Sequence, residues 1–256
     1  MPKEMIADLQ KVLFKRFNLL VVDDEEWLRV MLRERFEGLP YFKVITASSV
    51  DEAVDIIESK SIDPLNFLIT DLHMPMKSGI DLLKRYEKSH GFKVAFSGKA
   101  NCEMGGLAVE LGALRCIHRE GSGTLDRLMH LICSYLPISF CSKGKIGREM
   151  LEIFEKVHKQ KLFGVSRWAA CADLGVRTLE NKVNAHIDLS PRDFIHLSYG
   201  LYYLLAQSPE CKPLESLLTP ITSIDIARQC LVSLNKYCLK NDFPNALNGP
   251  VQPQAN

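Results

Sequence analysis

The sequence predicts an α/β domain, a doubly wound five-stranded parallel sheet, followed by an all-α half. Three observations carry that expectation. Five short aliphatic runs, 18–23, 42–47, 66–71, 92–97 and 114–118, recur between Asn18 and Leu136. Amphipathic segments at helical spacing separate them. After Leu136 the strand-like runs stop, and helical spacing continues nearly to residue 240. Short continuous apolar runs are the mark of strands buried on both faces, and their alternation with helices implies βαβ units.

Taken in order, residues 1–17 read as a helical extension with Ile6, Leu9, Val12 and Leu13 on one face, its role being packing. The first strand, Asn18-Leu19-Leu20-Val21-Val22, closes on Asp23 and Asp24. Val50, Ala53, Val54 and Ile57 form one helical stripe, and Ile80, Leu82, Leu83 and Tyr86 most of another. The sheet domain is expected to end at residue 136, with 137–147 as a linker carrying Lys143 and Lys145. Residues 148–242 would form the helical domain, and 243–256, rich in Asn, Pro and Gln, a disordered tail.

Composition narrows the function classes. A chain of 256 residues with 46% hydrophobic content suffices for two packed cores. The net charge of +1 gives no global field toward nucleic acid or membrane. The eight cysteines include no C-x-x-C pair, which favours free buried thiols in a reducing compartment over disulfides or a zinc site. No apolar stretch is long enough to cross a bilayer. Lys3, Glu4 and Asp8 break up any signal-peptide core, so a cytoplasmic protein is expected.

Three carboxylates concentrate the chemistry. Asp23 and Asp24 close the first strand and Asp71 closes the third. Ligands of doubly wound sheets bind beyond the carboxyl ends of the strands. If those strands are neighbours, like charges crowd one crevice, and a hard cation such as Mg²⁺ would relieve the repulsion. Acidic residues can also simply cap the following helices, a weaker account of all three together.

Val-Val-Asp-Asp-Glu (21–25), Asp71-Leu-His-Met-Pro75 with Gly79, Ser97 and Gly112-Ala113 together resemble the receiver domain of bacterial two-component response regulators, across nearly all of residues 18–136. The resemblance implies a flavodoxin-like fold in which Asp71 accepts a phosphoryl group from a sensor histidine kinase. It implies Mg²⁺ held by Asp24, Asp71 and the main-chain carbonyl of His73, with Asp23 acting through water. It implies that Ser97 bonds the phosphoryl oxygen. No enzyme activity is expected beyond self-catalysed phosphorylation and dephosphorylation of the aspartate. Two positions depart from the pattern. Arg119-Glu120 stands where the family has Lys-Pro, and Cys116 where it has a switch aromatic. Arginine keeps the charge with a different, forked geometry.

In the second half, Val165–Leu189 has helix-turn-helix grammar: a short helix over Arg167–Ala172, a turn at Asp173-Leu174-Gly175, and a second helix over Val176–His186. Val176, Leu179 and Val183 share one face. Arg177, Thr178, Asn181 and Asn184 lie opposite, with Lys182 beside them, and Arg and Asn are types that read base edges in the major groove. Leu189-Ser190-Pro191 and the helix after it resemble the AraC-type DNA-binding domain at the end of its first helix-turn-helix. A second unit fits less well. Ile226, Ala227 and Ser233 keep the spacing, but Leu231 replaces the turn glycine, and 207–220 is a long insertion. Residues 139–206 hold 10 Lys/Arg against 7 Asp/Glu, a modest basic balance for phosphate contacts. The reading is a DNA-binding response regulator acting as a homodimer, with no membrane partner. The alternatives are a signalling adaptor whose helical half binds protein, and a pseudo-receiver locked in one state.

Overall fold

A computed structural model describes residues 3–89, 91–144, 146–206 and 224–241. Five parallel strands, β1 (Phe17–Val22), β2 (Phe42–Ala47), β3 (Phe67–Thr70), β4 (Phe92–Ser97) and β5 (Ala113–His118), form one sheet in the order β2-β1-β3-β4-β5. Strands therefore reverse direction of travel around β1, and the crevice between β1 and β3 opens at their carboxyl ends. Successive strand residues face opposite sides of the sheet. Leu19 and Val21 enter one core while Leu20 and Val22 enter the other.

Helices cover both faces. α1 (Lys3–Leu13), α2 (Glu26–Glu37) and α6 (Thr124–Ser134) lie on one, with Leu28, Leu32 and Phe36 of α2 buried at four-residue spacing. α3 (Val50–Glu58) and α4 (Gly79–Arg85) pack on the other, and α5 (Cys102–Glu110) packs near β5. Local capping sets their starts. Ser49 Oγ accepts from Glu52 N at 3.2 Å, Asp81 accepts from Ser78 N at 2.9 Å, and Asn101 Oδ1 accepts from Met104 N at 2.8 Å.

The expected linker is structured. α7 (Leu136–Cys141) occupies its first part, with Pro137, Ile138, Phe140 and Cys141 all buried. Proline at the first turn starts a helix, because its missing N–H has no intrahelical partner there, and the apolar residues behind it fill the core. Lys145 and the expected tail at 243–256 lie outside the described residues.

The second half contains α8 (Arg148–Lys159), α9 (Val165–Cys171), α10 (Val176–His186), α11 (Pro191–Leu205) and α12 (Ile224–Lys240). Phe154, Trp168 and Phe194 meet with ring centroids 4.9 to 5.9 Å apart, and Trp168 Nε1 donates to Ile153 O at 2.7 Å. α9 and α10 join through Ala172–Gly175, where Asp173 adopts φ +55° and Ala169 is buried beneath the turn. α12 runs unbroken across Leu231 and Ser233. No turn forms where a second helix-turn-helix would need one, because Leu231 is buried in the core and no glycine interrupts the helix. The insertion at 207–220 lies outside the described residues.

The halves share one core. Tyr41 donates to Leu204 O at 3.1 Å and Tyr202 to Ser134 O at 2.9 Å, both buried. His158 lies in this boundary, edge-on to Tyr202. Burial, with His130 adding, pushes its imidazole down to about 4. The unfolded chain then takes up the proton first, so stability falls as pH drops from about 6.5 toward 4, by on the order of 1–3 kcal/mol. Thermal melts at about pH 7.5 and about pH 5 are expected to show a smaller loss for His158→Gln than for wild type.

Candidate functional site

Asp23 and Asp71 come together because β1 and β3 pair with Val22 opposite Thr70, so each aspartate is the first residue past its strand. The same crevice holds Asp24, and one ligand oxygen from each of the three lies within 4.8 Å of the others. Asp23 and Asp71 are each only 2% exposed, whereas Asp24 faces solvent. Asp23 Oδ1 accepts from Glu25 N at 2.9 Å, and Asp71 Oδ1 from Leu72 N at 2.6 Å. Burial raises the Asp23 carboxyl to about 6, against the opposing pull of the Glu25 amide and Arg119. Glycine is required at position 79, since a Cβ there would sit 1.9 Å from the Asp71 carbonyl oxygen.

Arg119 enters this crevice from the end of β5. Its Nη2 lies 2.6 Å from Asp71 Oδ2, and its Nη1 lies 3.2 Å from Asp23 Oδ2 and 2.8 Å from Glu25 Oε2. Pairing of Ser97 with His118 brings Arg119 beside Ser97, and Arg119 N donates to Ser97 O at 3.1 Å. Ser97 is fully buried, and its Oγ has no hydrogen-bond partner among the described residues. A buried hydroxyl without a partner is costly. The His73 side chain is exposed. Cys116 is half-buried on β5, so close to α5 that a Cβ on Gly105 would meet it at 3.5 Å. Burial, then the Asp71 charge, raises its thiol pKa.

Two partners were not anticipated among the site residues. Glu25 shares the Arg119 guanidinium, and Arg29 Nη1 donates to the Asp23 carbonyl at 2.6 Å. Glu25 was visible in the run 21–25, and its spacing from the aspartates was the available signal. The oxygen-only donor set suits a hard divalent cation such as Mg²⁺, with Asp23, Asp24 and Asp71 as the residues that would hold it.

In the helical half, Arg177, Thr178, Asn181 and Asn184 are exposed along α10. Val176 does not join Leu179 and Val183 in the core; at the first residue of α10 it is 41% exposed. Lys182 is held by Glu149 at 2.7 Å. Lys143 pairs with Asp188 at 2.8 Å, Lys159 pairs with Glu155, and Lys156 donates to Cys171 O at 2.6 Å. Several of the cations behind the basic balance of residues 139–206 are thus engaged within the protein.

Removing the Arg119 fork strips two nearly buried carboxylates of their shared cation. Arg119→Ala is expected to lose about 3 kcal/mol of stability in EDTA, and Mg²⁺ to restore more stability to this variant than to wild type. Urea unfolding with and without Mg²⁺ measures both.

Residues 19–132 match the family model of the response regulator receiver domain. A 97-residue stretch, 38% of the chain, is 34% identical to the transcriptional regulatory protein CpxR of Escherichia coli, and it spans 40% of that protein. A 76-residue stretch is 33% identical to the chemotaxis protein CheY1 of Helicobacter pylori, covering 30% of this chain and 60% of that one. Among solved structures, a CheY-like receiver domain protein from Methanospirillum hungatei aligns over 48% of this chain and 96% of its own, with 23% identity and a TM-score of 0.43. Residues 19–132, with their acidic crevice, are a response regulator receiver domain.

Proposed function

We propose that this protein is a phosphorylation-controlled, DNA-binding response regulator of a two-component system. The observation that carries the proposal is the crevice itself: a buried Asp71 beside Asp23 and Asp24, 2.6 Å from the Arg119 guanidinium and near the unpartnered Ser97 hydroxyl. A carboxylate oxygen of Asp71 attacks the phosphorus of a phosphorylated histidine on a sensor kinase. The P–O bond forms, the P–N bond breaks, and the imidazole leaves with the electron pair. The transfer passes through a loose transition state, so catalysis is positioning and charge neutralisation. Bound by Asp24, Asp71 and the His73 carbonyl, with Asp23 through water, Mg²⁺ would supply part of that neutralisation. Arg119, releasing Asp71, takes phosphoryl oxygens in a forked, charge-assisted contact. Ser97 donates to another oxygen and so reports the phosphorylated state to β4.

The helical half is the output element in this reading. α9, its turn and α10 act as an AraC-type helix-turn-helix, with Arg177, Thr178, Asn181 and Asn184 facing the major groove. Lys182 contributes on leaving Glu149. CpxR's description as a transcriptional regulatory protein supports the direction of this reading. Phosphorylation shifts an equilibrium between receiver states and favours a homodimer on DNA. No helix among the described residues is long and apolar enough to cross a membrane, in keeping with a cytoplasmic regulator.

One observation favours a second reading. Arg119 already neutralises Asp71 and Asp23, as expected of a pseudo-receiver held in one state. Incubation with acetyl phosphate and Mg²⁺ separates the two. Wild type is expected to gain a phosphoryl label and Asp71→Asn to gain none; an unlabelled wild type would favour the pseudo-receiver. For the output half, selection of genomic fragments on the full chain is expected to return a sequence motif whose affinity falls steeply with salt. Arg177→Ala should weaken binding to it by about 1–3 kcal/mol. Return of no motif would favour a protein-binding adaptor.

A further inference from the structure

A second cavity, of about 690 Å³, opens beside the amino-terminal ends of β1 and β2, at the edge of the sheet opposite the acidic crevice. Lys11 from α1, Phe14, Lys15 and Arg16 from the turn after it, Lys43 from β2 and Ser139 from α7 line it. Four of these are cations, and Asp63 is the one carboxylate in the lining. The chain as a whole carries only +1, so this is a local concentration of charge.

Lys15 adopts φ +49°, and its amide donates to Pro40 O at 2.8 Å, which pins the turn against the segment that leads into β2. Its ammonium lies 5.7 Å from the Phe14 ring centroid. Neither Lys15 nor Lys43 has an ion-pair partner among the described residues. Lys11 meets Asp8 at 3.7 Å on the exposed surface, a pair that solvent weakens. Ser139 Oγ accepts from Asn66 Nδ2 at 3.1 Å and keeps its own proton to donate.

Neighbouring cations repel unless an anion joins them, and Lys and Arg together suit phosphate oxygens. The volume lies in the range of small-molecule sites, roughly 300–1,000 Å³. Phe14, 59% exposed at the rim, offers a flat apolar face on which a heterocyclic base can stack. Lys11, Phe14, Lys15, Arg16 and Ser139 all lie outside residues 19–132, so the cavity is built from what this chain adds to its receiver domain.

We propose that this cleft binds a nucleoside phosphate, with the phosphates against Lys15, Arg16 and Lys43 and the base on Phe14. Bound there, the ligand ties α1 to the start of the sheet and to α7, and so gives the protein a second input independent of Asp71.

Titration calorimetry on the full chain, in EDTA, with ATP and separately with inorganic pyrophosphate, tests this. Wild type is expected to bind ATP saturably. The double variant Lys15→Glu, Lys43→Glu is expected to bind ATP at least about tenfold more weakly. Phe14→Ala should weaken ATP about threefold or more while leaving pyrophosphate unchanged, and Asp71→Asn should change neither. If the double variant melts differently from wild type, Lys15→Gln and Lys43→Gln made singly replace it, each expected to weaken ATP. Absence of saturable ATP binding to wild type, or equal affinity in the charge variants, overturns the proposal. Indifference of ATP binding to Phe14→Ala overturns the nucleoside assignment. A mixed-sequence DNA duplex that binds through Lys15 and Lys43 without competition from ATP would also overturn it, in favour of a DNA-backbone contact.

Discussion

A row of aromatic rings at the amino-terminal ends of the strands holds the molecule in register. Phe17 pairs with Phe42 and Phe67 with Phe92 across adjacent parallel strands. Ring centroids lie 6.1 Å apart from Phe17 to Phe42 and from Phe42 to Phe67, 5.8 Å from Phe67 to Phe92 and 5.2 Å from there to Tyr135. A slip of one residue in any of these pairings would turn a ring to the wrong face of the sheet. It would also break the match of Val22 with Thr70 that sets Asp23 and Asp71 side by side. The same row seats the helical half, since Phe140 contacts Phe17 at 5.9 Å and Tyr237 at 5.3 Å. Apolar packing at one end of the strands thus positions charge at the other.

At the charged end, the problem is to keep carboxylates together in a half-dry crevice. Backbone amides and the Arg119 fork carry much of that burden. A guanidinium is always charged and has little freedom within its plane, so it acts as a resident counter-ion tethered by its own strand. A divalent cation that binds the same oxygens must share them with it or displace it. The lysine familiar at this position in related domains would present a more compact charge, whereas the Arg119 fork occupies an oxygen of both Asp23 and Asp71 at once.

Much of this was legible from residue order. The runs at 42–47 and 92–97 coincide with β2 and β4; β4 is buried along its whole length, as a continuous run implies, whereas β2 is an edge strand that leaves Lys43 exposed. The three aspartates stood out because each ends such a run. α7 was not legible: Pro137 reads as a breaker unless the packing that rewards a helix behind it is known. Val176 was misassigned because helical spacing defines a face without revealing where along that face burial begins. The Arg119 contacts with Glu25 and Asp23 join residues nearly a hundred positions apart, and only the closed sheet brings them within reach. The bonds from Tyr41 to Leu204 and from Tyr202 to Ser134 are of the same kind.

The buried α7 carries a consequence for how the two halves can communicate. A module hung on a flexible tether explores space at an effective concentration set by tether length, and a signal can act by releasing or recapturing it. Here Pro137, Ile138, Phe140 and Cys141 leave little slack for such a search. If α10 is the output element, as proposed, movement at one end of the sheet reaches it as displacement of interlocked side chains, the way a gear train passes rotation. Substitutions that leave both halves folded but loosen the teeth between them, at Tyr41 or Tyr202, would then uncouple input from output without touching either.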